Sequence, residues 1–418
     1  MGRPWYAAHA GGPTGFPVRT GSLGSSAPGG RLGIVVDPHS VPESRLVLGL
    51  MSGMSMDGLD VALVRLEGLG ERPAVTLQAA TTLPYEDALR ERLQAARGAT
   101  GAESGALHTE LADAWGSSVR GWLDEQSIAP GGVTCLGSHG QTLWHRPRSR
   151  GRAAATLQVG DGARLAQAVG VPVVSDFRTA DIEAGGEGAP LVPMADWILH
   201  GDDQRTIACN NLGSISNVTV LPPAREAILA FDTGPANMLI DAFARRATGD
   251  IDRDGAVSAP ARIDPDVLHT LTMRRAAWLT QAPPKSAGYG TFGPELIDDI
   301  VASHPGADPR DLVRTAVEFS ATTLADAYER FVVPRHGDLR RVLFSGGGTH
   351  NPTLMASIRA HLEPLGLQAE IVSGAMNDAK EAVAFALLAD RTWRGLPGNV
   401  PSATGAGASV VLGAVALP

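Results

Sequence analysis

Residues Leu46–Leu66 read LVLGLMSGMSMDGLDVALVRL: two nearly continuous apolar runs, Leu46–Met51 and Leu59–Leu66, flank a polar turn. Apolar runs of this length, rich in Val and Leu and bounded by turn residues, read as two buried strands of a hairpin. The turn carries Ser52, Gly53, Ser55, Asp57 and Gly58. Glycines let main-chain N–H groups approach an anion closely, and successive N–H groups form an anion-binding nest. Ser52 and Ser55 add hydroxyl donors, and Asp57 can hold a divalent cation directly or through water. The same residues also fit an ordinary hairpin with Asp-Gly at its tip.

The chain has 418 residues, too many for one ordinary core, so two domains are the default. A net charge of −9 argues against non-specific binding to nucleic acid or anionic lipid. Cys135 and Cys209 sit in apolar, strand-like contexts and read as small core residues in a reducing compartment. No apolar run reaches the roughly 18 residues that a membrane span requires, so a soluble, cytoplasmic protein is expected. Residues 1–44 are dense in Gly, Pro, Ser and Ala and lack both helical periodicity and a secretory apolar stretch. They read as a poorly ordered extension without a catalytic role.

From Leu46 onward strand-like and helix-like segments alternate, which indicates an α/β architecture. Helices are expected over Tyr85–Arg97, His108–Gln126 and Asp311–Phe331, the last capped by Asp311. Strands are expected over Val133–Leu136, Val171–Val174, Thr206–Cys209, Ala227–Phe231 and Arg341–Phe344. The segment Ile207–Leu221, IACNNLGSISNVTVL, repeats the design of the opening hairpin, though hardly its sequence. Two such hairpins suggest two related domains facing each other across a cleft. Phe344–Asn351, FSGGGTHN, follows a strand and precedes a helical stretch, as a turn that lets a flat ligand approach main chain. The chain lacks GxxxxGK[ST], a helix-opening GxGxxG after the first strand, HExxH, paired CxxC and GxSxG.

Several motifs then follow in order: GLMSGMSMDGLD (Gly49–Asp60), GSHGQTLWHRP (Gly137–Pro147), LQVGDGARLA (Leu157–Ala166) and DFRTADIEAGGEGAPLVP (Asp176–Pro193). After them come NLGSISNV (Asn211–Val218), FDTGPANMLID (Phe231–Asp241), PPKSAG (Pro283–Gly288) and SGGGTHNPTLM (Ser345–Met355). AKEAVAFALLA (Ala379–Ala389) and LPGNVPSATGA (Leu396–Ala406) close the series. In order and wording this resembles the anhydro-N-acetylmuramic acid kinases of the hexokinase–actin–Hsp70 superfamily, over about residues 46–418.

That resemblance implies two RNase H-like domains of the actin and hexokinase type around a central nucleotide and sugar cleft. The first would span 46–205, joined by a C-terminal helix near 400–418, and the second 206–400. It implies ATP with magnesium, a homodimer, and a role in cell-wall recycling. The implied reaction hydrolyses and phosphorylates a 1,6-anhydro sugar together, giving N-acetylmuramic acid 6-phosphate and ADP. A kinase for another anhydrosugar such as levoglucosan is the alternative enzyme, and a catalytically inactive nucleotide sensor the alternative from another class. Three positions depart from the family: Met54 replaces Thr, Ser214 replaces a second glycine, and Ala287-Gly288-Tyr289-Gly290 replaces Thr-Gly-Arg-Glu.

Carried onto this chain, the ATP-binding loop is Gly53, Met54, Ser55, Met56, Asp57, Gly58, Leu59 and Asp60. Gly213 and Ser214 form a second phosphate turn, and Gly346, Gly347 and Gly348 an adenosine platform. Asp232 is the candidate base, expected just outside a helix opened by Gly234-Pro235. Glu381 is the candidate sugar-contacting carboxylate, although Asp378 and Glu381 also fit a capping box. Asp176, Arg178 and Asp181 read as substrate contacts or as internal support for the turn Gly185–Pro190. His139 reads as a ligand contact or a hydrogen-bonded structural histidine. No protein metal cage is apparent; magnesium is expected to ride on ATP oxygens and water.

Overall fold

The computed structural model describes residues 18–19, 35–36, 41–53, 56–96, 101–146, 148, 154–372 and 374–418. Most of the extension expected over 1–44 therefore lies outside the described residues, as do Met54, Ser55 and Arg97.

The opening hairpin is present as β1 (Ser44–Ser52) and β2 (Gly58–Glu67), paired antiparallel and buried along most of their length. β3 (Ala74–Pro84) extends it into a meander. β4 (Val133–Arg146) then joins β1 in parallel, β5 (Ala155–Val159) folds back on β4, and β6 (Val173–Ser175) continues in parallel beyond it. The second hairpin is β7 (Ile207–Leu212) and β8 (Ile215–Leu221), followed by β9 (Leu229–Pro235). β10 (Arg341–Ser345) and β11 (Gln368–Ile371) add in parallel beside β7. Both sheets thus share one plan: an antiparallel three-strand meander with parallel strands added on the free side of its first member. The echo between the two hairpins in sequence is the trace of that repeated plan.

Helices Gly101–Glu125 and Gly162–Val169 cover one face of the first sheet through Leu107, Leu111, Trp115, Leu165 and Val169. The other face is covered by helix Lys380–Trp393, which follows β11 in sequence but lies on β1 and β4. It is buried continuously from Ala382 to Trp393, and its stretch Ala382–Ala389 is apolar on every side. Gly49 and Gly137 make this approach possible. A Cβ on Gly49 would lie 1.8 Å from the Ala382 oxygen, and one on Gly137 2.1 Å from the Phe385 oxygen. The last strand, β12 (Ala414–Ala416), pairs with β6 at the edge of the same sheet.

The second sheet packs on helices Asn237–Thr248, Pro265–Leu279 and Pro309–Ala327. The long helix begins two residues earlier than its expected cap. Asp308 accepts from Arg310 N–H at 2.9 Å with Pro309 in the first turn, whereas Asp311 accepts from Arg262 N–H at 2.8 Å. The helix ends in a π-helical turn, Tyr328–Val332. Cys135 and Cys209 are buried and unpaired, and burial pushes both thiols well up. Among the described residues no helix is long and apolar enough to cross a membrane.

Candidate active site

Asp232 lies inside β9, opposite Asn217 of β8, rather than beyond a strand end. The strand runs on to Pro235, and the following helix starts only at Asn237, so the expected Gly234-Pro235 helix opening is not formed. The Asp232 N–H donates to the Lys285 carbonyl at 3.1 Å, and its Oδ2 accepts from the Ala287 N–H at 2.7 Å. Among the described residues Oδ1 takes no hydrogen bond. Burial pushes the carboxyl up to about 6, against the opposing Ala287 bond and Lys285 charge.

The hairpin turn after β1 uses its side chains differently from expectation. Met56, at φ 54°, and Leu59 are buried in the core, so only their main chain faces outward. The Ser52 hydroxyl donates to Gln141 Oε1 at 2.5 Å and accepts from the Tyr85 hydroxyl at 2.8 Å, which in turn accepts from Trp115 Nε1 at 2.9 Å. Ser52 therefore braces the turn instead of offering a free donor. Asp57 is exposed, and its carbonyl accepts from the Tyr85 N–H at 3.1 Å. Asp60 accepts from Thr82 at 2.6 Å. Its carboxyl is raised by burial, with Asp57 and Asp378 adding to the rise.

Glu381 sits in the first turn of helix Lys380–Trp393. No capping box forms there: the cap is Ala379 without a side-chain bond, and Asp378 faces His350 Nε2 at 3.2 Å. Glu381 keeps an exposed side chain, yet surrounding protein raises its carboxyl, Asp60 adds to this, and Lys380 and Arg178 oppose it. Glu381, Asp60 and Arg178 thus share one electrostatic neighbourhood. Behind Arg178, His139 Nε2 accepts from the guanidinium Nη2 at 2.9 Å while its Nδ1 donates to the Gly140 carbonyl at 2.9 Å. Arg178 Nη1 also holds the Gly188 carbonyl at 2.8 Å.

Asp181 does not join this group. It is fully buried, and its carboxylate accepts from Gly188 N–H at 2.8 Å, Asn399 Nδ2 at 2.8 Å and Thr404 Oγ1 at 2.7 Å. Those bonds, on a side chain buried from solvent, make it a support for the turn Gly185–Pro190. Asp176 is half-buried at φ 58° and accepts from Thr179 Oγ1 at 2.5 Å. A left-handed aspartate is uncommon and is held there by its surroundings.

On the second sheet, Gly213 and Ser214 form the two-residue loop between β7 and β8. Their carbonyls accept from Asn237 and Ala236 N–H, both at 3.0 Å, which docks the loop on the next helix. Gly346 adopts φ 89°, where a Cβ would meet Asn211 Oδ1 at 2.5 Å, and its N–H donates to Asn377 Oδ1 at 2.8 Å. Gly347 and Gly348 continue into a short 3₁₀ turn. The helix beyond, Pro352–Leu362, is capped by Asn351, whose Oδ1 accepts from Thr353 and Leu354 N–H at 3.0 and 3.1 Å. That helix start is therefore closed by the protein's own side chain and is not an open anion site.

Comparison with known proteins completes the assignment. The family model described as anhydro-N-acetylmuramic acid kinase matches residues 45–418. The chain belongs to the anhydro-N-acetylmuramic acid kinase family. It is 36% identical over 389 residues to the anhydro-N-acetylmuramic acid kinase of Caldanaerobacter subterraneus subsp. tengcongensis, covering 90% of this chain and 98% of that protein. It is 40% identical over 381 residues to the same-named protein of Gloeobacter violaceus, covering 88% and 98%. Among solved structures, a ROK family glucokinase from Streptomyces griseus aligns with a TM-score of 0.38 and 12% identity over 82% of this chain and 98% of that one. Family membership makes this chain a kinase, and its two larger sheets share one repeated strand order.

Sequence reasoning missed some residues that brace this candidate site. Lys380 links Asp196 Oδ1 at 3.0 Å to the Ser345 hydroxyl at 3.1 Å, joining the start of the Glu381 helix to β10. Asn377 holds Gly346, and Gln141 holds Ser52. Gln141 lies within the quoted GSHGQ motif, so a signal was present. Lys380 likewise lies within the quoted AKEAVAFALLA motif, while the partners that it, Gln141 and Asn377 meet are set only by long-range folding.

Proposed function

We propose that this enzyme hydrolyses the 1,6-anhydro ring of 1,6-anhydro-N-acetylmuramic acid and phosphorylates O6 from ATP, giving N-acetylmuramic acid 6-phosphate and ADP. The observation that carries the reading is Asp232: one carboxylate oxygen fixed by Ala287, the other free, and a carboxyl raised to about 6. A base poised near neutral pH suits general-base catalysis. An anhydro bridge has no 6-hydroxyl to deprotonate. Asp232 instead takes a proton from a water attacking the anomeric carbon, the bond from that carbon to the bridging oxygen breaks, and the released O6 accepts the γ-phosphoryl group. Glu381 and Arg178, with His139 behind the guanidinium, face the sugar in this reading, and Asp176 lies beside them.

Main-chain groups of Gly53–Asp60 and of Gly213-Ser214 would cradle the phosphates, and Gly346–Gly348 the adenosine. Gly346 itself is fixed by the protein, since a Cβ there would meet Asn211 and Leu212. Among the described residues no group of three or more His, Cys, Asp or Glu side chains is arranged to hold a metal ion. Asp57 and Asp378 raise the Asp60 carboxyl and Asp60 raises that of Glu381, a concentration of negative charge that a cation bound to the nucleotide would relieve. Magnesium bound to ATP would supply charge compensation for phosphoryl transfer.

The same reading divides the chain into a unit of 46–205 with 400–418 and a unit of 206–400; helix Lys380–Trp393, expected in the second unit, packs on the first sheet. A cytoplasmic homodimer serving cell-wall recycling comes with the family resemblance. The test is a panel of anhydrosugars with Mg–ATP. One ADP per sugar 6-phosphate from 1,6-anhydro-N-acetylmuramic acid is the expected result. Turnover of levoglucosan alone would move the substrate elsewhere, and ATP binding without turnover of any sugar would make the chain a sensor.

A further inference from the structure

The segment Pro283–Gly288, whose wording departs from the family beyond Ser286, is held more firmly than a surface loop needs. Lys285 is 6% exposed, and its ammonium lies 4.4 Å from the Trp278 ring centroid and 4.8 Å from that of Phe331. Nζ donates to the Leu279 carbonyl at 3.1 Å. The Trp278 indole N–H donates to the Ser286 carbonyl at 3.0 Å. Phe331 is delivered by the π-helical turn Tyr328–Val332 and meets Phe231, the neighbour of Asp232, edge to face at 6.1 Å.

A lysine in such a cage costs desolvation that a methionine of similar length would avoid. Among the described residues no carboxylate lies within ion-pair distance of Nζ to offset it; the charged groups in reach are Asp326, Arg330 and Asp232. What the anchored strap does is hold Asp232 on two sides. The Lys285 carbonyl receives the Asp232 N–H, and the Ala287 N–H, two residues on, donates to the carboxylate. We infer that Lys285 is a positioning residue for Asp232: its ammonium, caged by Trp278 and Phe331, pins the strap whose main chain aims the carboxylate. The inference rests on Asp232 being the general base. The ammonium has a second effect on the same group, because a nearby positive charge favours the ionised carboxylate. Burial holds the lysine itself down at about 8, so it stays mostly charged at neutral pH.

Lys285→Met keeps the length and removes the charge and the donor. The experiment follows the Asp232 carboxyl by ¹³C NMR titration, assigned with Asp232→Asn, beside kcat, KM for ATP and Tm. Lys285→Met is expected to raise the Asp232 midpoint by about half a pH unit or more. It should lower kcat about 10-fold or more, since small misplacement of a reacting group is costly, with KM for ATP near wild type. Lys285→Arg should hold the midpoint near wild type and recover part of kcat. Trp278→Phe, which keeps an aromatic face and removes only the indole donor, should lower kcat without moving Tm by more than a few degrees. An unshifted midpoint and unchanged kcat in folded Lys285→Met, with only Tm reduced, would overturn the inference. Full activity in Asp232→Asn would instead overturn the choice of base, and the NMR titration would still report whether Lys285 governs that carboxyl.

Discussion

His139 receives the Arg178 guanidinium on Nε2, at 2.9 Å from Nη2 and 3.2 Å from Nε, and so must be neutral with its proton on Nδ1. Burial and the arginine together push its imidazole down to about 3. Its ring also packs 4.6 Å from Phe385 of the helix that carries Glu381. The histidine is thus a hydrogen-bond acceptor that aims a cation, and proton transfer is the one role its surroundings deny it.

His139 is therefore expected to show no protonation in ¹⁵N-detected NMR spectra between pH 5 and 8, with a constant Nδ1–H tautomer. The unfolded chain takes up this proton near pH 6.5 and the folded protein only near 3. The stability it contributes is present above pH 6.5 and lost progressively as the pH falls toward 3. His139→Ala should raise the KM for sugar about 10-fold, the effect of leaving a guanidinium without its acceptor. An unchanged KM would detach the pair from the sugar site.

Asp232→Asn keeps the shape and an acceptor for Ala287, and should lower kcat about 10²–10⁴-fold. In the wild type, kcat should rise with pH through about 6, where the buried carboxyl ionises. The linkage has the opposite sign from that of His139. The folded carboxyl keeps its proton up to about 6 and the unfolded one only to about 3.8, so stability is greatest below 3.8 and declines as the pH passes 6. Asn cannot ionise, and the variant should melt no lower than wild type at pH 8. A lower Tm with normal kcat would assign Asp232 to the turn alone.

Asp181→Ala strands three donors, on Gly188, Asn399 and Thr404. Each unsatisfied buried group costs about 1–3 kcal/mol, so urea denaturation should show a loss of at least about 3 kcal/mol. Activity per folded molecule should stay within a few-fold of wild type. A large loss of kcat in protein that remains fully folded would return Asp181 to the reacting groups.

Gly346→Ala should raise the KM for ATP about 10-fold. The left-handed φ of 89° disfavours alanine, and its Cβ would lie 2.5 Å from Asn211 Oδ1 and 2.9 Å from the Leu212 carbonyl. Equilibrium binding of a fluorescent ATP analogue measures this directly, and unaltered affinity would place adenosine elsewhere.

Much of this architecture was legible along the chain because hairpins and amphipathic helices signal themselves locally. Leu46–Met51 and Leu59–Leu66 lie within β1 and β2, and their near-continuous apolar runs match a sheet covered on both faces. The cap of the long helix was misplaced by three residues, although Asp308-Pro309 carried the better signal, with proline preset for the first turn. Other features had no local signature. The apolar stretch Ala382–Ala389 of helix Lys380–Trp393 does not say which sheet it will cover. The cage around Lys285 joins Trp278 to Phe331, which are distant in sequence, and Asp181 meets Asn399 and Thr404 only when the chain's end returns. Side-chain type gave the candidates, while burial and long-range partners separated Asp232 from Asp181.

The docking of Lys380–Trp393 against Gly49 and Gly137 also orders events in time. The sheet begun by the first hundred residues stays bare on one face until the ribosome has made residues 380–393, and β12 closes its edge only after them. A nascent protein stalled before residue 380 would present β1 and β4 as an open apolar surface, the kind that holdase chaperones shelter. Glu381 enters on the same helix, so completion of the first core and arrival of the proposed sugar contact are one folding step.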